Sequence, residues 1–257
     1  MRKTTIFYNK KLKLKDPIMV VGLPGIGSVG SMVAEHIKNE MKAEKFASLY
    51  SPYFPHQAIM QRNGGLRLVN NRFYHFKNKE GRSIVLLVGD TQAGTPRGQY
   101  DVNEKIVRFM KKFNSKYIYT IGGYSAGPQY VQNPRVFGVA TNKKTINELK
   151  KFGVIFGHAS GSIWGSAGVI PAFSKLHDIN SACIMGETGL LEIDANAAKA
   201  VLKVMMKLLS IDINLENIDK IKKETEKILK NLQEEQARAM SGEAGQAPSK
   251  ENMTYIR

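Results

Sequence analysis

Ile18-Met19-Val20-Val21 leads into Gly22-Leu23-Pro24-Gly25-Ile26-Gly27-Ser28-Val29-Gly30, after which Val33, Ile37 and Met41 recur at helical spacing. The apolar run reads as a buried strand, the glycines as a tight turn, and the spacing beyond them as an amphipathic helix. Gly25, Gly27 and Gly30 fit G-x-G-x-x-G, a turn that lets a backbone approach a pyrophosphate at a helix N-terminus. A dinucleotide site also wants an acid at the end of the next strand, to hold the ribose. That strand, Phe46-Ala47-Ser48-Leu49-Tyr50, runs into Ser51-Pro52 without one. The stretch therefore sets an α/β beginning, and no cofactor is expected.

Outward from this unit the chain keeps alternating strand and helix. Ile84–Val88 suits a strand buried on both faces. Val102, Ile106, Phe109, Met110 and Phe113 mark a helix, Tyr117–Ile121 the next strand, and Ile179–Met185 a later one. Gly122-Gly123 and Gly165 punctuate the pattern, and Ala195–Leu209 carries a helix core face. Asn63-Gly64-Gly65 and Asn70-Asn71, within Gln57–Phe76, read as hairpin turns. The expected fold is α/β, a three-layer α/β/α domain over residues 1–213 with a mainly parallel sheet and one antiparallel excursion near 55–77.

At 257 residues, 42% apolar and 23% charged, the chain can bury a sizeable core. No apolar run approaches the roughly 20 residues of a membrane span, and no signal-peptide core follows the N-terminus, so a cytoplasmic location away from membranes is expected. One cysteine, Cys183, excludes a disulfide framework and a thiolate metal site. The histidines His36, His56, His75, His158 and His177 never pair at metal-ligand spacing.

The net charge of +16 suggests nucleic acid at first sight. From Asn214 onward, however, eight basic residues balance eight acidic ones, so the whole excess lies in residues 1–213. Its one dense cluster is Arg2, Lys3, Lys10, Lys11, Lys13 and Lys15. Lys11-Leu12-Lys13-Leu14-Lys15 alternates at strand period, the pattern of a lysine-protected edge strand. Nucleic acid is not the expected partner; an acidic protein surface would answer the same charge.

Candidate chemistry is sparse. Gly123-Tyr124-Ser125-Ala126-Gly127 fits a nucleophile elbow, but Pro128 and Pro134 leave no room for the helix that must follow it. Asp90, after the Ile84–Gly89 strand, stands at the ligand-prone edge of the sheet, as does Glu187 one strand further on. Either acid is a general base or ribose holder on one reading and a loop-capping carboxylate on the other, the second being preferred. Ser51-Pro52-Tyr53-Phe54-Pro55-His56 is either a contact surface or a loop folded back on the core.

Two C-terminal segments stand apart. Within 214–240, Ile218, Ile221, Thr225, Ile228 and Leu232 follow 3-4-3-4 spacing, a short coiled-coil seam for self-association or partner docking; a final helix packed on its own domain is the alternative. Residues 241–257 form a Ser/Gly/Ala/Gln/Pro-rich linker that ends in Met253-Thr254-Tyr255-Ile256-Arg257. Burying a large apolar side chain is worth about 1.5–3 kcal/mol, so an apolar end on a polar tether suits docking into another molecule. As a coil, Ser241–Asn252 would reach about 17–21 Å.

Pro24-Gly25-Ile26-Gly27-Ser28-Val29-Gly30, Gly89-Asp90-Thr91-Gln92, Tyr119-Thr120-Ile121-Gly122-Gly123-Tyr124 and Gly161-Ser162-Ile163-Trp164-Gly165-Ser166-Ala167-Gly168 occur in this order. Together they resemble the signature of the proteasome assembly chaperone 2 family, over roughly Asp16 to Leu209, and the free-standing form with a tail is similar to its archaeal homologues. The resemblance implies a fold akin to purine nucleoside phosphorylases without established catalysis, self-association into a homo-oligomer, and binding to the α-subunit ring of the proteasome core particle as assembly chaperone or activator. Gly25, Gly27, Gly30 and Asp90 would then be a vestigial ligand loop. The resemblance further implies that proteasome activators and some family members dock by a C-terminal hydrophobic–tyrosine–any tripeptide whose carboxylate meets a lysine between α subunits. Here Tyr255-Ile256-Arg257 carries the tyrosine one place early, so Tyr255 would serve as the hydrophobic residue and Arg257 as the carboxylate bearer. The rival from the enzyme class is a nucleoside- or nucleotide-handling protein that binds phosphate at Gly25–Gly30. An esterase built on Ser125 is a third reading.

Overall fold

The computed structural model describes residues 1–127, 130–158, 161–189, 192–224 and 227. In chain order the elements are β1 (Thr5–Tyr8), β2 (Ile18–Gly22), α1 (Val29–Glu40), β3 (Glu44–Tyr50), β4 (Ala58–Met60), β5 (Leu66–Leu68), β6 (Asn71–Lys77), β7 (Ser83–Gly89), α2 (Pro96–Lys112), β8 (Tyr117–Ser125), β9 (Val136–Ala140), α3 (Lys143–Lys150), α4 (Ser166–Leu176), β10 (Asn180–Thr188) and α5 (Ala195–Leu209). Eight strands form one sheet in the order β1-β3-β6-β7-β2-β8-β10-β9, with β4 and β5 as a separate hairpin.

The sheet is mixed, which corrects the expectation of a mainly parallel one. Strands β7, β2, β8 and β10 run parallel at its centre. Both flanks are antiparallel, β1-β3-β6-β7 on one side and β9 against β10 on the other. The connections dictate this. A tight turn at Asn78–Gly81 joins β6 to β7, where Gly81 takes a positive φ of 73° and only an antiparallel return is reachable. Strands that run parallel need a crossover: α2 carries the chain from β7 past β2 to β8, and α1 carries it from β2 to β3.

Alternation along the central strands separates two cores. Val20, Leu86, Tyr119 and Ile184 face α1 and α5, where Val33, Ile37, Val201 and Leu202 meet them. Met19, Val85, Leu87 and Ile118 face α2 and α4, packing on Ile106, Met110 and Ile170. Helix α2 begins with Thr95, whose hydroxyl accepts from the Gly98 amide, and Pro96 at its first position. Phe46, Phe73, Phe109, Phe113 and Tyr8 close the outer part of this face with edge-on ring contacts.

Three local expectations are revised. Lys11–Lys15 is not a strand: the edge strand is β1, and it ends where Asn9 Oδ1 accepts from the Lys11 amide at 3.0 Å, a side-chain turn that breaks the ladder. The lysines still face water while Leu12 and Leu14 half-bury against the core. Asn63-Gly64-Gly65 does turn the β4–β5 hairpin, but Asn70-Asn71 does not turn; Asn71 opens β6 and pairs with Gly89. Gly122 and Gly123 lie inside β8, which pairs with β10 as far as Ser125↔Thr188.

Just beyond α5, around residues 214–219, the chain packs on its own domain. Ile218 is buried in the α1/α5 core, Asp219 pairs with Lys199, and the Asn214 carbonyl lies 2.6 Å from His36 Nε2. Residues 216–224 are helical. Ile221 is 37% exposed, whereas Ile228 and Leu232 lie outside the described residues. No helix among the described residues is long and apolar enough to cross a membrane.

Candidate functional site

The glycine turn sits at the carboxyl end of β2, where neighbouring connections leave the sheet on opposite faces. Its three glycines have different jobs. A Cβ on Gly30 would stand 2.6 Å from the Ile121 carbonyl oxygen, so this glycine lets α1 lie against β8. Gly27 has a φ of 61°, and its carbonyl accepts from the Asp194 amide at 2.8 Å. Gly25 meets nothing closer than 4.0 Å.

Asp194 is the residue that sequence reasoning missed at this loop. Fully buried, it caps α5 by accepting from the Ala197 amide at 2.9 Å, and the Thr188 hydroxyl donates to it at 2.6 Å. Its position just before the Ala195–Leu209 apolar period was the available signal. A carboxylate packed against Gly27 repels the phosphate that a nucleotide loop would bind there.

The acids proposed from sequence are held by arginines. Arg67 from β5 clasps Asp90 through two bonds, 2.5 and 2.9 Å, while Arg72 Nη2 and the Asn70 amide add bonds of 3.1 and 3.0 Å. Burial pushes the Asp90 carboxyl up, but these donors, Arg67 first, hold it below the ordinary carboxylate range. The Arg135 side chain does the same for Glu187, with bonds of 2.8 and 2.5 Å that outweigh the cost of burial. Both acids thus serve as anchors, one for the β4–β5 hairpin and one for the start of β9. Ser125 ends β8 exposed, and the next helix of the chain is α3. Phe54 folds back into the α2 core, with Tyr53 half-buried beside it and His56 exposed.

Between the loop at 25–30 and the glycine segment from Gly161 to Ala167 lies a cavity of about 560 Å³. Leu23, Ile26, Ile121, Ile163 and Met185 give it apolar walls, and none of the described residues lining it carries a charge. Gln92 links the two loops: its amide nitrogen donates to the Pro24 carbonyl at 2.7 Å, and its oxygen accepts from the Ser166 amide at 2.8 Å. Trp164 stands at the cavity, 89% exposed. Among the described residues no three His, Cys, Asp or Glu gather as a metal site. Met253, Tyr255, Ile256 and Arg257 lie outside the described residues.

These features define a class: α/β domains with a mixed sheet between two helical layers, bearing an uncharged cavity at the carboxyl ends of the parallel strands. Within that class the chain belongs to the PAC2 family, whose profile matches residues 19–234. It is 35% identical over 243 residues, 95% of this chain and 93% of the relative, to an uncharacterized protein of Methanocaldococcus jannaschii. Among solved structures it resembles Pyrococcus furiosus PbaB, an archaeal proteasome activator, at 36% identity and a TM-score of 0.85, covering 91% of this chain and all of that one. Pyrococcus furiosus PbaA, an archaeal homolog of proteasome-assembly chaperone, shares the fold with a TM-score of 0.76 at 23% identity, over 94% and 96% of the two chains.

Proposed function

We propose that this protein is a non-enzymatic, proteasome-associated factor, an assembly chaperone or activator that binds the α-subunit ring of the core particle. The observation that carries the proposal is the likeness to the Pyrococcus furiosus activator, 36% identical along 91% of this chain. The site agrees with it in kind. Asp90 and Glu187 are committed to arginines, and Gly27 and Gly30 of the loop to packing against the start of α5 and β8.

In this reading the domain is a platform and residues 253–257 are the anchor. Tyr255 and Ile256 would fill a pocket between α subunits while the Arg257 carboxylate meets a basic residue there. Self-association through Ile221, Ile228 and Leu232 would present several tails at once, and each bound tail would raise the effective concentration of the next. The positive body, with its excess in residues 1–213, would be drawn to an acidic ring surface. The location would be cytoplasmic.

The test is removal of Met253–Arg257 from the full chain, followed by native electrophoresis with proteasome α rings. Co-migration is expected to disappear or weaken at least tenfold. Undiminished co-migration would remove the tail from the mechanism. The phosphate-binding alternative predicts thermal stabilisation by nucleotides, about 2.7 kcal/mol at 100 times the dissociation constant; the Asp194 carboxylate beside Gly27 argues against it.

A further inference from the structure

The cavity between the two glycine segments has a polar edge that no side chain uses. Strand β2 pairs with β8 only as far as Val21↔Thr120, whereas β10 follows β8 to Ser125. From Gly122 to Ser125 the β8 backbone therefore has a ladder partner on one side alone, and these residues line the cavity. An unpaired strand edge presents N–H donors and C=O acceptors in alternation, and unpaired backbone groups away from water are costly.

Two of the polar side chains in the lining are engaged with loop backbone. Both ends of the Gln92 amide bind loop backbone, and the Thr120 hydroxyl donates to the Ala167 carbonyl at 2.7 Å. What remains is a slot without charge that offers one backbone edge, the hydroxyls of Tyr124, Ser125 and Ser162, and the exposed indole of Trp164. A volume of about 560 Å³ lies within the range of small-molecule sites. Anions find no cation in the lining, and the buried Asp194 carboxylate lies behind Gly27.

From this arrangement we propose that the cavity is a binding site for a small, uncharged, flat ring compound bearing a lactam-type edge. Its adjacent N–H and C=O would pair with the β8 backbone at Gly122–Ser125, its faces would lie against Ile121, Ile163 and Met185, and Trp164 would cover the mouth. The proposal does not depend on the proteasome reading; a ligand here and a partner at the tail are separate events.

Trp164 is the sole tryptophan, so its indole N–H gives one unambiguous peak in a ¹H–¹⁵N spectrum of the full-length protein. The probe is 2-quinolinone, compared with quinoline, which lacks the donor, with the 4-carboxylate of 2-quinolinone, and with inorganic phosphate. 2-Quinolinone is expected to move the indole peak saturably, with at least tenfold weaker responses to the other three. Gly122→Leu fills the slot: a Cβ at Gly122 meets only Ala167 Cβ at 3.6 Å and Met185 Cγ at 3.8 Å, both ordinary contacts. That variant should lose the response at least tenfold while keeping its melting temperature. Trp164→Ala removes an exposed side chain and should weaken binding several-fold, read from the ligand by saturation transfer.

An indole peak indifferent to 2-quinolinone at millimolar concentration would overturn the proposal. So would equal or tighter binding of the carboxylate or phosphate, or unimpaired binding to both variants. A peak that moves with protein concentration instead of ligand would assign the mouth to contact between copies, and would overturn it as well. If Gly122→Leu does not fold, the Trp164→Ala comparison decides.

Discussion

A methyl group at Gly30 would press on the Ile121 carbonyl, while one at Gly25 would meet nothing closer than 4.0 Å, so of these two glycines only Gly30 is demanded by packing. Gly30→Ala is expected to destabilise the domain by about 1–3 kcal/mol in urea unfolding, the usual effect of overpacking. Gly25→Ala should stay within about 0.5 kcal/mol of the parent. Asp90 offers a second test at this scale. Its carboxyl is held low by Arg67 in the folded state, so its contribution is complete above the unfolded carboxylate value near 4 and is lost as pH falls through the folded value. Asp90→Asn should therefore cost about 1.5–3 kcal/mol at pH 7, the range for hydrogen bonds to a charged group, and much less at pH 2. Cys183, whose thiol burial pushes up to about 12, should resist alkylation in the native protein and react only on unfolding.

Elements show how far residues alone carried the fold. Helix α5 was readable to its ends because its apolar positions keep helical period from Ala195 to Leu209, although Asp194, which caps it, went unread. Strand β2 and the turn after it were equally plain. The orientation of the outer strands was not: β3 and β6 are only half-buried, unlike β2 and β7, and their partners alone fix direction. Gly122-Gly123 read as a break because glycine weakens strands. In the fold they continue β8, and a Cβ on Gly123 would stand 2.5 Å from the Ile26 carbonyl, so smallness there makes room for the neighbouring loop. The cavity was illegible for a related reason: its walls come from segments more than a hundred residues apart, and no local period records their meeting. The helix after α5 was ambiguous at both faces. Ile218, 2% exposed, points into its own domain, so Ile218→Ala should destabilise by about 2–4 kcal/mol. Ile221→Ala should leave the urea midpoint nearly unchanged and, if self-association uses that face, shift the oligomer equilibrium in sedimentation.

At the scale of the whole molecule, the uneven charge and the family membership describe one object: a basic α/β body of the PAC2 type with its charge-balanced segment at the C-terminal end. Attraction of that body to an acidic ring should fade as salt rises, because screening shortens its reach to about 8 Å at physiological ionic strength. If the proposed tail anchor exists, its apolar part should be far less sensitive to salt. Native mass spectrometry of the full-length chain, alone and mixed with proteasome α rings, tests the central claim most directly. A homo-oligomer that adds to the ring in a fixed ratio is the predicted result. Two unchanged spectra superimposed, with no joint species at micromolar concentrations, would contradict it.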